Sequence, residues 1–321
     1  MEVCGTHTHV MAQYGLRKLL PSKVKLISGP GCPVCVSGAG FIEKIRALSR
    51  SGVTVALFGD LLRIPGVSGT LRGEARIRIV YSPDDALDYA LAQPREAVVC
   101  AAVGFEPTLS AGAGLLARLE ELEPDNFTIL IDFKRLRPVL NELSASRGLD
   151  GFLLPGHVAS IVGEAGFAGL ETPGVIAGFA PEAVLHSLQL LLETIARGEC
   201  RVVNNYPEAV RCDGNVAALA LIRHYFEPGA SVWRGLGEIA GAGWKIRDEF
   251  VRFDAARRYD LTEMAVPEAP GCRCGEVLTG VIAPEECGLF GRSCTPDNPV
   301  GACMSSLEGA CSAAWNFREA V

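Results

Sequence analysis

Four cysteines toward the end of the chain, Cys274, Cys287, Cys294 and Cys311, follow the spacing C-x12-C-x6-C-x16-C. Thiolates are the ligands of iron–sulfur clusters and of soft metals. From Pro267 onward the chain is rich in Cys, Gly and Pro, with few long apolar runs. Such a segment builds little core of its own, so a bound metal is expected to supply much of its order. Four thiolates suit either a [4Fe–4S] cluster or structural zinc. Zinc sites usually draw on two tight knuckles, and these four contain no C-x2-C pair, which favours the cluster. Cys272 and Cys303 stand outside the set and leave other ligand assignments open.

A second group of thiols lies at the other end. The run Cys4-Gly5-Thr6-His7-Thr8-His9 offers one thiolate and two imidazoles, a donor set that suits Fe, Zn, Ni or Cu. The run Gly29-Pro30-Gly31-Cys32-Pro33-Val34-Cys35 holds a Cys-x-x-Cys pair. Its sulfurs can reach one metal or each other, and a helix that follows lowers the thiol pKa. A dithiol–disulfide switch and a pair of metal ligands are both open readings. The chain carries twelve cysteines and no basic-then-apolar leader, which points to the reducing cytoplasm. There, paired cysteines are more often ligands or redox-active thiols than structural staples.

Net charge is −7 and no Lys/Arg-rich run interrupts it, so no nucleic-acid partner is expected. No run of apolar residues is long enough to span a bilayer, so no membrane partner is expected either. Between Val24 and about Val203, short Val/Ile-rich runs alternate with amphipathic ones. The expected strands are 24–28, 53–58, 76–80, 97–103, 127–132, 151–154 and 175–178. The expected helices are 39–49, 84–93, 109–121, 136–144, 181–197 and 214–225. That alternation predicts an α/β fold with parallel sheets covered on both faces. The expected division is two small, similar α/β domains, 1–105 and 106–205, followed by a Cys-rich iron–sulfur domain over 206–321.

Open parallel sheets bind ligands at the carboxyl ends of their strands. Several polar loops fall there in sequence order: Gly29–Cys35, Gly59-Asp60, Gly104–Thr108 with Glu106, and Pro155-Gly156-His157-Val158. His9, Asp60, Glu106 and His157 are therefore candidate crevice residues. A lone His is more often a satisfied structural residue. Pro107 after Glu106 suits the first turn of a helix. No phosphate-binding G-x-x-x-x-G-K-[ST], G-x-G-x-x-G or H-E-x-x-H pattern is present.

These runs together resemble the HypD family of [NiFe]-hydrogenase maturation factors. Further matching runs are Gly59-Asp60-Leu61-Leu62-Arg63-Ile64-Pro65-Gly66, Asn204-Asn205-Tyr206, Trp233-Arg234-Gly235-Leu236-Gly237, Phe253-Asp254-Ala255, and Cys274 through Glu308-Gly309-Ala310-Cys311. The resemblance implies a scaffold with redox chemistry rather than a simple turnover enzyme. The Fe(CN)2CO unit is assembled on it together with a HypC-like chaperone. A HypE-like protein donates cyanide, and the hydrogenase large subunit is the final recipient. It further implies that Cys4, with His7 nearby, helps hold the iron, and that Cys32 and Cys35 are the redox pair beside it and further possible ligands. Cys274, Cys287, Cys294 and Cys311 would hold the [4Fe–4S] cluster. The competing reading is an Fe–S-dependent thiol–disulfide oxidoreductase of other specificity.

Some positions depart from the family pattern. Relatives usually carry a segment before Cys-Gly-Thr-His, whereas Met1 lies three residues before Cys4, so Cys4 is expected to be poorly held. Gly-Phe-Glu-Thr-Thr becomes Gly104-Phe105-Glu106-Pro107-Thr108. The polar stretch of relatives becomes Asp132-Phe133-Lys134, and Gly-Phe-Glu-Pro becomes Gly178-Phe179-Ala180-Pro181.

Overall fold

The computed structural model describes residues 1–261 and 266–318, so four interior residues and the last three of the expected 206–321 segment lie outside the described residues. Three helices come first: α1 (Gly5–Gln13), α2 (Pro33–Val36) and α3 (Ala39–Arg50). A parallel sheet follows, made of β1 (Thr54–Leu57), β2 (Ile77–Ile79), β3 (Val98–Gly104) and β4 (Phe127–Phe133) in the order β2-β1-β3-β4. Between these strands run α4 (Pro83–Ala92) and α5 (Glu106–Leu122). Every residue of β1 and β3 is buried, as expected of strands covered on both faces. Ser82 and Asp85 form a reciprocal capping box that starts α4, with Pro83 in its first turn.

Helix α6 (Leu136–Arg147) leads to a second parallel sheet, β5 (Phe152–Pro155), β6 (Gly174–Ala177) and β7 (Val202–Asn205). Helices α7 (Gly156–Val162) and α8 (Pro181–Ala196) connect its strands. Then come α9 (Val216–Tyr225) and an antiparallel hairpin, β8 (Phe226–Trp233) with β9 (Gly237–Ile246). The remainder is short: α10 (Ala255–Arg258), α11 (Cys274–Leu278), α12 (Ala302–Ser305) and α13 (Ala310–Asn316). The fold is α/β with parallel sheets and a Cys-rich end.

Three findings bear on the sequence reading. The sheet runs through the division expected at residue 105, because β4 pairs with β3 along its whole length. The first residues of the chain belong with the second sheet: Val3 N–H donates to Leu153 O (3.1 Å) and Leu153 N–H to Met1 O (2.9 Å). The expected strand at 24–28 forms only an isolated bridge, Ser28 to Glu2.

Cys4 is consequently well held. Glu2 is fully buried, ion-paired to Arg17 and accepting from Ser28 Oγ at 2.9 Å. The terminal ammonium donates to Gly151 O at 2.7 Å. Among the described residues, no helix is long and apolar enough to cross a membrane.

Candidate functional site

In the order β2-β1-β3-β4 the chain leaves β1 toward one edge and β3 toward the other. The crevice at the carboxyl ends of β1 and β3 is the switch point where such sheets take ligands. A cavity of about 610 Å3 opens there, lined by Gly59, Asp60, Thr108 and the Pro33–Val34 turn. The Cys-Pro-Val-Cys loop therefore forms one wall of it.

Cys32 precedes α2 as its N-cap, and its Sγ accepts from Cys35 N–H at 3.3 Å. Pro33 at the first helical position fixes the turn. Cys32 and Cys35 are joined as a disulfide, Cα atoms 5.2 Å apart, and both are buried. The pair lies against the Cys-rich end of the chain. Cys32 Sγ is 3.4 Å from Ser306 Oγ, and Cys35 Sγ is 3.8 Å from Ala302 O.

Cys4 is the N-cap of α1 and sits back to back with the same loop. Gly5 N–H donates to Gly31 O at 3.1 Å. A Cβ on Gly31 would come within 2.2 Å of Cys4 N, so only glycine permits this approach. Burial pushes the Cys4 thiol up to about 12. Its Sγ lies 3.8 Å from His157 Nδ1. His157 and His7 flank Phe179, with ring centroids at 5.5 and 5.3 Å, and Tyr206 meets Phe179 edge-on. His7 is fully buried, its Nε2 3.0 Å from Gly178 O. Burial lowers both imidazoles to about 4, so they are neutral at pH 7.

His9 turns aside and packs edge-on against Phe317. Glu308, which no spacing argument selected, reaches the Cys4 side instead. It accepts from Thr6 Oγ1 at 3.1 Å, and burial raises its carboxyl. The signal was the Glu308-Gly309-Ala310-Cys311 run. Gly5 allows this contact, since a Cβ there would meet Glu308 Cβ at 2.5 Å.

The C-terminal cysteines converge. Cys272, Cys274, Cys287, Cys294, Cys303 and Cys311 line one cavity together with Val277, Leu289, Phe290 and Met304. That is two thiols more than the spacing argument used. Cys274 and Cys303 sulfurs are 2.7 Å apart. Thiols of Cys272 and Cys303 directed at Cys274, with buried Arg234 close by, hold Cys274 well below the usual thiol range, and Cys274 with Cys311 and burial hold Cys303 well above it. Arg234 also donates to Ser37 O from Nε and Nη2, at 3.2 and 3.0 Å, and pairs with Glu268. Six sulfurs in an apolar shell are the donor type an iron–sulfur cluster takes, although among the described residues no three ligand groups already stand in a metal-holding arrangement.

Glu106 does not join these groups. Its carboxylate lines a different cavity with Arg135, Leu136 and Trp244. Burial raises it from 4.5 to about 7. The folded chain then keeps a proton that the unfolded chain releases above pH 4.5. Stability should fall as pH rises from about 4.5 to about 7 and be level beyond. Glu106→Gln should remove that slope, gaining about 3 kcal/mol on wild type between pH 4 and pH 8 in urea unfolding. A difference that stays constant with pH would mean that Glu106 is ionised in the fold.

Comparison with known proteins covers nearly the whole chain. Residues 1–318 match the HypD family, described as the hydrogenase formation hypA family. The hydrogenase maturation factor HypD of Escherichia coli is 39% identical over 331 residues, covering 99% of this chain and 89% of that protein. The HypD of Cupriavidus necator is 38% identical over 337 residues, covering 99% and 89%. That of Rhizobium leguminosarum bv. viciae is 39% identical over 343 residues, covering 100% and 89%. With Cys4 against the Cys32–Cys35 loop, that loop against the Ala302–Ser306 segment, and matches of this length, the chain belongs to the HypD family of hydrogenase maturation factors.

Proposed function

We propose that this chain is the scaffold and redox factor on which the Fe(CN)2CO unit of a [NiFe] hydrogenase is assembled, together with a HypC-like chaperone. The observation that carries the reading is the contact between its thiol groups. The segment Ala302–Ser306 touches the Cys32–Cys35 disulfide on one side and carries Cys303 into the cysteine cavity on the other. Cys4 stands behind the same loop, next to Gly31.

In this reading Cys274, Cys287, Cys294 and Cys311 hold a [4Fe–4S] cluster. The cluster, when bound, supplies electrons one at a time. Cys4 binds the iron cargo once its proton has left, and Thr6 with Glu308 offers a route for that proton. Neutral His7 and His157, with Phe179, keep the thiol in a dry, uncharged pocket. Cys32 and Cys35 cycle between disulfide and dithiol; opening breaks one S–S bond and takes up two protons and two electrons, which a bound cluster would relay singly from an external one-electron donor, and closure returns them by the same route. Cyanide arrives from a HypE-like donor, and the finished unit passes to the hydrogenase large subunit.

A general oxidoreductase acting on protein disulfides is disfavoured, because Cys32 and Cys35 are 2% and 0% exposed. The test is anaerobic co-purification with a HypC-like chaperone, read by infrared bands of iron-bound cyanide and carbon monoxide. The disulfide is checked on the same sample by acid quenching from graded redox buffers and alkylation after unfolding. Absence of the bands from a chain that carries its cluster defeats the scaffold reading. A pair that stays alkylatable under every oxidising buffer leaves plain metal ligation as its role.

A further inference from the structure

A cavity of about 620 Å3 lies between the start of α6, helices α7 and α9, and the β8–β9 hairpin, and no cysteine lines it. Three buried polar atoms in its walls lack a hydrogen-bond partner among the described residues: Glu106 Oε2, Arg137 Nε and Trp244 Nε1. Each such atom costs about 1–3 kcal/mol when left unsatisfied, and folded proteins leave few of them. Their meeting at one cavity is the mark of a ligand site. Arg135, Arg223 and Arg247 also line it, against Asp213 as the other carboxylate. Arg135 is held over the Trp244 ring at 5.5 Å, and its Nη1 reaches Gly241 O at 3.4 Å. Arg247 shares Glu227 with Lys245, at 3.6 Å. The rest of the wall is apolar, with Val158, Val162, Phe167 and Phe226.

We propose that this cavity binds a small aromatic phosphate bearing an amino or hydroxyl group, of the nucleoside monophosphate type. The guanidinium groups and Trp244 Nε1 take the phosphate oxygens, as planar forked donors favour. The ring lies on the apolar wall. Its N–H or O–H donates to Glu106 Oε2, the one orphan acceptor of the three. This site is separate from the metal chemistry proposed above and does not depend on it.

The probe is AMP, measured by equilibrium dialysis on the full-length protein and by tryptophan fluorescence. Saturable one-to-one binding is expected, with inorganic phosphate at least roughly tenfold weaker because it lacks the ring. Arg137→Gln and Arg223→Gln should each weaken AMP by roughly tenfold or more, the loss of one charged hydrogen bond. Arg223 is exposed, so its variant keeps the fold if Arg137→Gln does not. Failure of AMP to saturate overturns the proposal. So does phosphate binding as tightly as AMP, or AMP binding unchanged in Arg223→Gln.

Discussion

Cys4→Ala is expected to abolish the cyanide and carbon monoxide infrared bands of the complex with a HypC-like chaperone, with the visible spectrum of the C-terminal cluster unchanged. Iron carrying such ligands is low-spin and soft, and a thiolate is the donor that suits it. One thiolate leaves coordination positions open, which a cysteine of the chaperone can fill. Under the proposed function, assembly on a two-protein complex would follow from that, as would later release by exchange of the partner's thiolate. Substitution leaves the fold intact for a specific reason. Cys4 starts α1 through its backbone, with no side-chain capping bond, and alanine keeps that backbone. The lost group is the buried sulfur alone, 3.8 Å from His157 and 1% exposed. Bands that persist in the variant would move the iron to Cys32 and Cys35, the sulfurs on the other side of Gly31.

Much of this was legible from residue order. The strands of the first sheet were readable because β1 and β3 are buried on both faces and so read as unbroken apolar runs. The β8–β9 hairpin was not. Its first strand contains Pro228 and Gly229, which argue against a strand in the middle of a sheet. In a two-stranded ribbon both strands are edges, and the argument does not apply. Strand β7, Val202–Asn205, was missed because it is short and half polar. One sheet spans residue 105, because nothing local distinguishes a crossover inside one sheet from a crossing between two. The looseness expected of Cys4 came from counting residues before it. What holds it is long-range: Met1 and Val3 hydrogen-bond to Leu153, about 150 positions away. Glu106 was readable as a polar residue at a strand end. Which cavity it faces depends on α6 and the hairpin, and no spacing carries that. Glu308 stood in the matching run Glu308-Gly309-Ala310-Cys311, but its approach to Thr6 beside Cys4 is a contact of distant residues that spacing does not carry.

If the C-terminal thiols hold the proposed [4Fe–4S] cluster, removing one ligand should bleach it, and the choice of cysteine decides what is learned. Cys287 and Cys294 sit on a stretch without α-helix or strand, Ala283–Gly301, whose backbone bonds are local turns such as Cys294 N–H to Leu289 O at 2.9 Å. Few buried apolar residues anchor it beyond the sulfurs themselves. Cys287→Ala or Cys294→Ala should therefore remove the brown chromophore and make this stretch exchange its amide hydrogens faster, while β1, β3 and β5 keep their protection. Cys274→Ala is a weaker test, since Cys272 and Cys303 line the same cavity and can supply a replacement thiolate. A cluster that outlives Cys287→Ala and Cys294→Ala would reassign its ligands to Cys272, Cys274, Cys303 and Cys311. That set lies on and beside α11, α12 and α13, and would place the cluster closer to the Ala302–Ser306 segment that touches the disulfide. The two ligand sets thus differ in a second observable: with the Cys287-containing set, loss of the cluster frees the 283–301 stretch, and with the other set it does not.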